Sequence, residues 1–374
     1  PLLRGEGRYA GDLIPSDACH AVVLRSPYAH ARIDRLDISA ALAEPEVLAV
    51  VTAADFADDA YVPLKFPLPN PEAAAAMQPL LARERVRYVG EPIAVMVARS
   101  AYVAEDVLPA IEVDYEPLAA VVDAAEGAGK DAPLLFSELG TNVVAEPGSD
   151  RALGEAAFAG ARCIEAELTV GRHFAVPIET RGIVADFDPR RGLTVWGPAK
   201  SPHFTHEVLA EFLGVPPHRV HVIEPDVGGG FGGRGEVFAE DLVIPWLAMR
   251  LRRPVAWIED RQEHFVSSNH SREQRHRARL AVDDGGLFTA FQDRLVNDQG
   301  AYLRNNTIAV AELTCGLLPG PYRFESIDTR AACVMTNKTP ADVFRAPGRY
   351  EGTFVRERLV DMAAHQLGID PVEL

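Results

Sequence analysis

Only four of the 374 residues are cysteine (Cys19, Cys163, Cys315 and Cys333), and no two of them stand in a C-x-x-C spacing. A pattern of that kind encodes no zinc or iron–sulfur centre in this chain. Four scattered cysteines in a chain this long read as reduced, mostly buried thiols, which favours a cytoplasmic setting. Long apolar runs are missing too; none approaches the ~20 residues of a membrane span. Positive charge is scarce. Lysine and arginine number 37 against 54 aspartates and glutamates, a formal net charge of −17, so the basic face that nucleic-acid phosphates require is not expected. The chain opens on Pro1 rather than methionine, which leaves no argument for or against a signal peptide. What is present is the composition of a soluble enzyme piece: 48% of residues are hydrophobic, enough for two domains with real cores.

Residues 226–233 read Asp-Val-Gly-Gly-Gly-Phe-Gly-Gly, five glycines in six positions. Such a run accepts positive φ angles and can lie bare against a ligand. An apolar segment at 219–224 before it reads as a strand, and 237–251 after it reads as a helix. Strand, glycine loop and helix together are a common way to hold phosphate on backbone N–H groups. Gly228, Gly230 and Gly233 also satisfy G-x-G-x-x-G. A second apolar run, 254–258, ends in Glu259-Asp260, and Glu259 lies 26 residues beyond Gly233, against a usual ~20. A nicotinamide-binding dehydrogenase of Rossmann type is therefore one reading. The next segment disagrees with it. Apolar-alternating runs at 277–282 and 287–291 flank Asp-Asp-Gly-Gly at 283–286, which reads as a hairpin where a doubly wound sheet needs another β-α-β unit. A glycine-rich turn with no ligand is the plainer alternative.

Strands are expected at 19–24, 47–51, 93–97 and 111–115, and a helix at 100–108 with Ser100 as its N-cap. The Ala- and Pro-rich stretch 55–81 reads as an excursion. Residues 124–151 lack apolar periodicity and read as a linker. Beyond it, 163–170 alternates like a half-exposed strand, and 183–187 with 193–196 form a hairpin around Asp-Pro-Arg-Arg-Gly. A helix over 202–213 puts His203, Glu207 and Glu211 on one face; a solvated polar face is favoured over a metal site, since no third convergent ligand pattern accompanies it. The basic stretch 272–279 reads as an exposed face, with contact to an acidic partner or a pyrophosphate as the lesser reading.

A second motif, Asp-Val-Phe-Arg-Ala-Pro-Gly-Arg-Tyr-Glu, occupies 342–351. With both motifs the chain resembles the large, molybdopterin-binding subunit of the xanthine dehydrogenase and aldehyde oxidase family, a superfamily that includes the aerobic carbon monoxide dehydrogenases. The segments Gly-Arg-Tyr-Ala-Gly-Asp-Leu at 7–13, Arg-Ser-Pro-Tyr-Ala-His-Ala at 25–31 and Val-Arg-Tyr-Val-Gly-Glu-Pro at 86–92 are similar to its N-terminal domain. Pro-Ile-Glu-Thr at 177–180, Leu-Gly-Val-Pro at 213–216 and Thr-Asn-Lys-Thr at 336–339 are similar to landmarks of its first molybdopterin-binding domain. The resemblance implies an α+β fold: an α/β hammerhead domain over 1–125, a linker over 126–160 and a mixed α/β first molybdopterin-binding domain over 161–374. It implies a molybdenum–molybdopterin cofactor in a dinucleotide form such as the cytosine dinucleotide. FAD and 2Fe-2S iron–sulfur clusters would sit on partner subunits, in a dimer of heteromers. The reaction implied is hydroxylation of an aldehyde or N-heteroaromatic small molecule, with water as the oxygen source.

The same resemblance assigns roles. Gly229, Gly230, Gly232 and Gly233 would offer backbone N–H groups to cofactor oxygens, and Phe231 would wall the pocket. Arg345 would face the substrate; a guanidinium is charged at any working pH and stabilises negative charge during oxygen transfer. Ala346 stands where carbon monoxide dehydrogenases carry a copper-binding cysteine, which argues against CO oxidation. Lys200 replaces a glutamine that approaches the metal's oxo ligand; it keeps a donor, adds charge and loses the acceptor. Glu236 is one position out of register with a substrate-recognising glutamate of xanthine-type members, and that role is not carried over. No protein ligand to a metal is expected. The family's general base is a glutamate in a Gly-Glu segment with no counterpart here, so the chain is expected to need a second half, as a separate polypeptide or a continuation. A non-catalytic scaffold fragment is the rival reading.

Overall fold

The computed structural model describes residues 1–149, 152–197 and 200–374. The N-terminal third runs β1 (Cys19–Arg25), β2 (Ala31–Asp37), α1 (Ser39–Ala43), β3 (Val47–Thr52), β4 (Arg85–Val86), β5 (Pro92–Ala98), α2 (Ala101–Val107) and β6 (Glu112–Pro117). The chain continues through α3 (Ala124–Gly127), β7 (Val143–Ala145), β8 (Arg162–Phe174), β9 (Gly182–Asp188), β10 (Gly192–Trp196), α4 (Pro202–Leu213) and β11 (Val220–Ile223). It ends with α5 (Ala239–Leu251), β12 (Val255–Ile258), α6 (Arg261–Ser267), β13 (His270–Val282), β14 (Phe288–Gly300), α7 (Thr307–Leu317), β15 (Ser326–Met335) and α8 (Arg349–Leu367). The result is an α+β protein, and no helix among the described residues is long and apolar enough to cross a membrane.

Every residue of β5, Pro-Ile-Ala-Val-Met-Val-Ala, is buried, as a strand covered on both faces must be. It lies between β1 and β3 in a seven-stranded sheet of order β11-β10-β9-β12-β1-β5-β3. α2 and α1 cover one face through Met96, Ala104 and Ala41. α5 covers the other, with Leu242, Val243, Ile244 and Leu247 fully buried against Ile183, Leu193 and Trp257. Ser100 caps α2 by accepting a hydrogen bond from the Val103 N–H at 3.3 Å. This sheet crosses the boundary between the two expected domains, because β1 of the first pairs in parallel with β12 of the second.

A five-stranded sheet, β7-β15-β14-β13-β8, carries the other core. The hairpin expected around 283–286 is present, but each strand is 13 residues long. Asp283 Oδ1 closes its turn by accepting from the Gly285 and Leu287 N–H groups at 2.9 and 2.8 Å. α8 packs Val355, Leu359 and Ala363 on Leu280 and Phe291. The segment read as a linker, 126–160, supplies edge strand β7 and buries Leu135, Phe136 and Val144; its Asp150 and Arg151 lie outside the described residues.

The Rossmann reading is overturned by strand order. β11 and β12, which flank the glycine loop and α5, are separated in the sheet by β10 and β9, and β9 runs antiparallel to both its neighbours. α5 begins at Ala239, six residues beyond Gly233, so the loop does not sit on a helix N-terminus. Glu259, the acid expected on a ribose, is 1% exposed and spent on Arg181, His264 and Ser267. His203, Glu207 and Glu211 are exposed along α4.

Candidate active-site cleft

The glycine loop is anchored from behind by Glu179. Its Oε2 accepts from the Gly228 N–H at 2.7 Å, and Oε1 accepts from the Ala10 N–H at 3.4 Å. Arg234 reaches back and donates to the Glu179 and Thr180 carbonyls at 2.6 and 2.8 Å. Two tight turns follow: the Gly233 N–H donates to the Gly230 carbonyl at 2.9 Å, and the Gly235 N–H to the Gly232 carbonyl at 3.0 Å.

The segment 342–348 packs directly on this loop. The Arg345 N–H donates to the Phe231 carbonyl at 2.8 Å, so the two sequence motifs are joined backbone to backbone. Gly232, at φ 111°, lies so close that a Cβ there would stand 2.8 Å from the Val343 carbonyl oxygen. Gly348, at φ 71°, lets the start of α8 rest on α7, where a Cβ would meet the Thr314 nitrogen at 2.6 Å. Among the described residues four non-glycine residues have positive φ, and three of them, Phe231, Arg272 and Ala346, belong to this junction. Such conformations cost about 1–3 kcal/mol each and persist where surrounding structure imposes them.

Arg272 was expected on an exposed basic face and is instead 5% exposed. Its guanidinium stacks over Tyr350 at 4.2 Å and Phe344 at 4.9 Å, pairs with Glu351 at 3.2 Å and donates to the Arg345 carbonyl at 2.5 Å. A carboxylate and two aromatic faces compensate its lost hydration. Arg275 and Arg277, on the same strand, are exposed as expected.

A buried carboxyl pair ties the far ends of the two motifs. Glu236, just past the loop, and Asp342, just before Val343, interact with each other in the interior, and burial of two neighbouring carboxyls favours a proton shared between them. Glu236 also pairs with Arg304 at 2.6 Å, and Asp342 accepts from the Val343 N–H at 2.6 Å. Burial pushes the Glu236 carboxyl well above the usual range, with Asp342 adding to the shift and Arg304 opposing it; burial raises Asp342 as well. Arg304 is held further by Gln78 and the Val237 carbonyl, at 2.7 and 2.9 Å.

In front of the junction lies an open cleft of about 530 Å³. The loop contributes Phe231, Gly232 and Gly235; the second motif contributes Phe344, Arg345 and Ala346. Lys200, ahead of α4, and Lys65, from the 55–81 excursion, complete the opening. Of the expected site residues the structure thus gathers Lys200, Phe231, Gly232 and Arg345. Gly229, Gly230 and Gly233 do not line this cleft, and the Gly233 N–H is engaged inside the loop. In the segment leading to Lys200, Pro198 and Ala199 lie outside the described residues. Among the described residues no three His, Cys, Asp or Glu side chains form a metal-holding group. Lys65, Arg272 and Arg304 were missed; none stands in a motif.

A cleft with cations and glycine backbone at its wall, on an α+β frame, suits an anionic ligand. Residues 135–374 match the molybdopterin cofactor-binding domain, and residues 4–119 match the aldehyde oxidase and xanthine dehydrogenase a/b hammerhead domain. The chain belongs to the xanthine dehydrogenase and aldehyde oxidase family of molybdopterin-binding oxidoreductase subunits. It is 35% identical, over its whole length, to 47% of the 6-hydroxypseudooxynicotine dehydrogenase complex subunit gamma of Paenarthrobacter nicotinovorans. It is 34% identical to the nicotine 6-hydroxylase large subunit of the same organism, again over its whole length and 46% of that protein. The crystal structure of quinoline 2-oxidoreductase from Pseudomonas putida 86 superposes with a TM-score of 0.92 at 37% identity, covering all of this chain and 48% of that one. The chain therefore spans about half the length of the relatives it matches. The cleft's lining contains Lys200 beside the backbone of Gly232 and Gly235 and no aspartate or glutamate, a donor set that fits the oxygen-rich, anionic end of a molybdenum cofactor.

Proposed function

We propose that this chain is part of a molybdenum hydroxylase that oxidises an aldehyde or N-heteroaromatic substrate with water as the oxygen source. The observation that carries the reading is the hydrogen bond from the Arg345 N–H to the Phe231 carbonyl at 2.8 Å, which fixes glycine loop and arginine on one cleft. When bound, the molybdenum–molybdopterin group supplies oxygen transfer and accepts two electrons. Gly235 leaves backbone bare for close approach, Gly232 lets residues 343–344 pack on the loop, and Lys200 holds negative charge beside Gly235. Gly229, Gly230 and Gly233 shape the loop from behind. Phe231, 47% exposed, walls the cleft and displaces water once it is covered. Arg345 stabilises negative charge that develops on the substrate. Ala346 offers no thiolate, which separates this site from a copper-dependent CO oxidation.

The remaining parts of the reading follow from the family. A second half carries the glutamate that accepts the reaction's proton. Electrons leave to 2Fe-2S clusters and FAD on partner subunits, in a cytoplasmic dimer of heteromers, and the pterin is a dinucleotide form such as the cytosine dinucleotide. Metal analysis of the purified native complex, with its absorption spectrum, tests this. The expected result is about one molybdenum per chain and iron–sulfur and flavin absorption. A complex without molybdenum would favour a scaffold role.

A further inference from the structure

The chain contains four lysines, Lys65, Lys130, Lys200 and Lys338. Two of them, Lys65 and Lys200, line the cleft that Arg345 also lines. The three cations arrive from separate parts of the chain: the 55–81 excursion, the turn before α4 and the turn before α8. All three residues are exposed at the opening. Among the described residues none has a carboxylate partner, and no aspartate or glutamate lines the cleft. The chain as a whole carries a net charge of −17. Lys338, by contrast, is paired with Glu273 and Asp298, and Arg25, Arg181 and Arg272 are paired as well.

Lys65 is held at the rim by neutral groups only. Its N–H donates to Asn305 Oδ1 at 2.5 Å, its Nζ lies 3.4 Å from Ser201 Oγ, and the ammonium stands 5.9 Å from the Phe204 ring centre. Lys200 lies beside the end of the glycine loop, with its Nζ 3.9 Å from where a Cβ on Gly235 would be. Between the cations the wall is apolar: Phe66, Phe231, Leu313 and Val343. Flat apolar surface flanked by unpaired ammonium and guanidinium groups suits an aromatic ring that carries an anion.

We infer that the substrate of this site carries a carboxylate on its aromatic or heteroaromatic ring, and that Lys65 at the rim recognises it while Arg345 and Lys200 face the reacting end. The inference rests on the hydroxylase reading for the word substrate; the anion site itself stands on the charges and the cleft.

The test uses the purified native complex and an isosteric pair, quinoline-4-carboxylate and quinoline-4-carboxamide. Binding is measured by titration calorimetry and oxidation by kcat/KM. The acid is expected to bind at least about tenfold tighter than the amide, with the preference largely lost in Lys65→Met and retained in Lys65→Arg. Molybdenum content should be the same in all three proteins. Equal binding of acid and amide, or a preference that Lys65→Met leaves intact, would overturn the inference. Loss of molybdenum from Lys65→Met would overturn it too, by assigning Lys65 to the cofactor. Preferential acid binding without oxidation of any heteroaromatic or aldehyde would strike the hydroxylase reading and support the anion site. Oxidation of neutral substrates with no acid preference would do the reverse.

Discussion

At residue 232 the requirement for glycine comes from the protein itself. Gly232→Ala would hold a side chain at φ 111° and press its Cβ to 2.8 Å from the Val343 oxygen. It should destabilise the chain by about 1–3 kcal/mol in chemical denaturation; a loss under about 0.5 kcal/mol would show that the junction is not strained. The Glu236–Asp342 pair gives a pH prediction. Both carboxyls are raised in the folded state, so their stabilising contribution is fully present below the ordinary carboxylate range. It is lost as pH rises through the folded values. Glu236→Gln donates to Asp342 without a shared proton. Its Tm should fall less than that of the wild type as pH rises above the ordinary carboxylate range, and parallel curves would contradict the shared proton. Phe231 and Arg345 were legible because they stand in motifs. Arg272, Arg304 and Lys65 were not, because what makes them special is the absence or presence of a partner from elsewhere in the chain.

At the scale of elements, one buried network locks β1, β9, α5, β12 and α6 behind the cleft. Arg181 pairs with Glu259 at 2.5 Å and Glu240 at 3.1 Å, while Arg25 pairs with Glu240 at 2.6 Å and Glu263 at 2.7 Å. Burial alone would raise the Glu259 carboxyl, but Arg181 and His264 hold it well below its usual range. Arg181→Met leaves Glu259 buried and without its guanidinium. The expected cost is about 3–5 kcal/mol by guanidinium denaturation; a loss below about 1 kcal/mol would contradict the network's role. α4 was legible to its ends, because Pro202 starts it and Gly214 stops it. β2 was invisible. Its Arg32, Asp34, Arg35 and Asp37 break apolar alternation, and the strand is held by its ladder with β6 and by Ala31, Ile33 and Leu36, while Arg35 pairs at the surface with Glu112 and Asp114 at 2.9 and 2.8 Å. β13 and β14 were read short for a related reason: their partners across the ladder include a buried His276–Asp293 pair at 2.7 Å, which hydropathy scores as surface.

For the whole molecule, the seven-stranded sheet matters most. Residues 4–119 match a domain of their own, yet β1 borrows β12 as its neighbour, and Val95 and Val97 share a core with Leu242 and Trp257. Residues 1–119 expressed alone should therefore show no cooperative thermal transition by circular dichroism. A sharp transition within about 10 °C of the full chain would show that the hammerhead part is self-sufficient. No local pattern revealed this pairing, since parallel partners more than two hundred residues apart leave no turn between them. The same sheet carries the glycine loop on one flank and presents it to the junction with residues 342–348. In the proposed function this junction is one wall of a molybdenum hydroxylation site, with Arg345 acting on charge in the reaction and not on cofactor retention. The direct measurement is turnover and molybdenum content of the native complex carrying Arg345→Ala. Full molybdenum and a fall in kcat of at least about 100-fold are expected. Turnover within about twofold of wild type, with molybdenum bound, would contradict this role for Arg345.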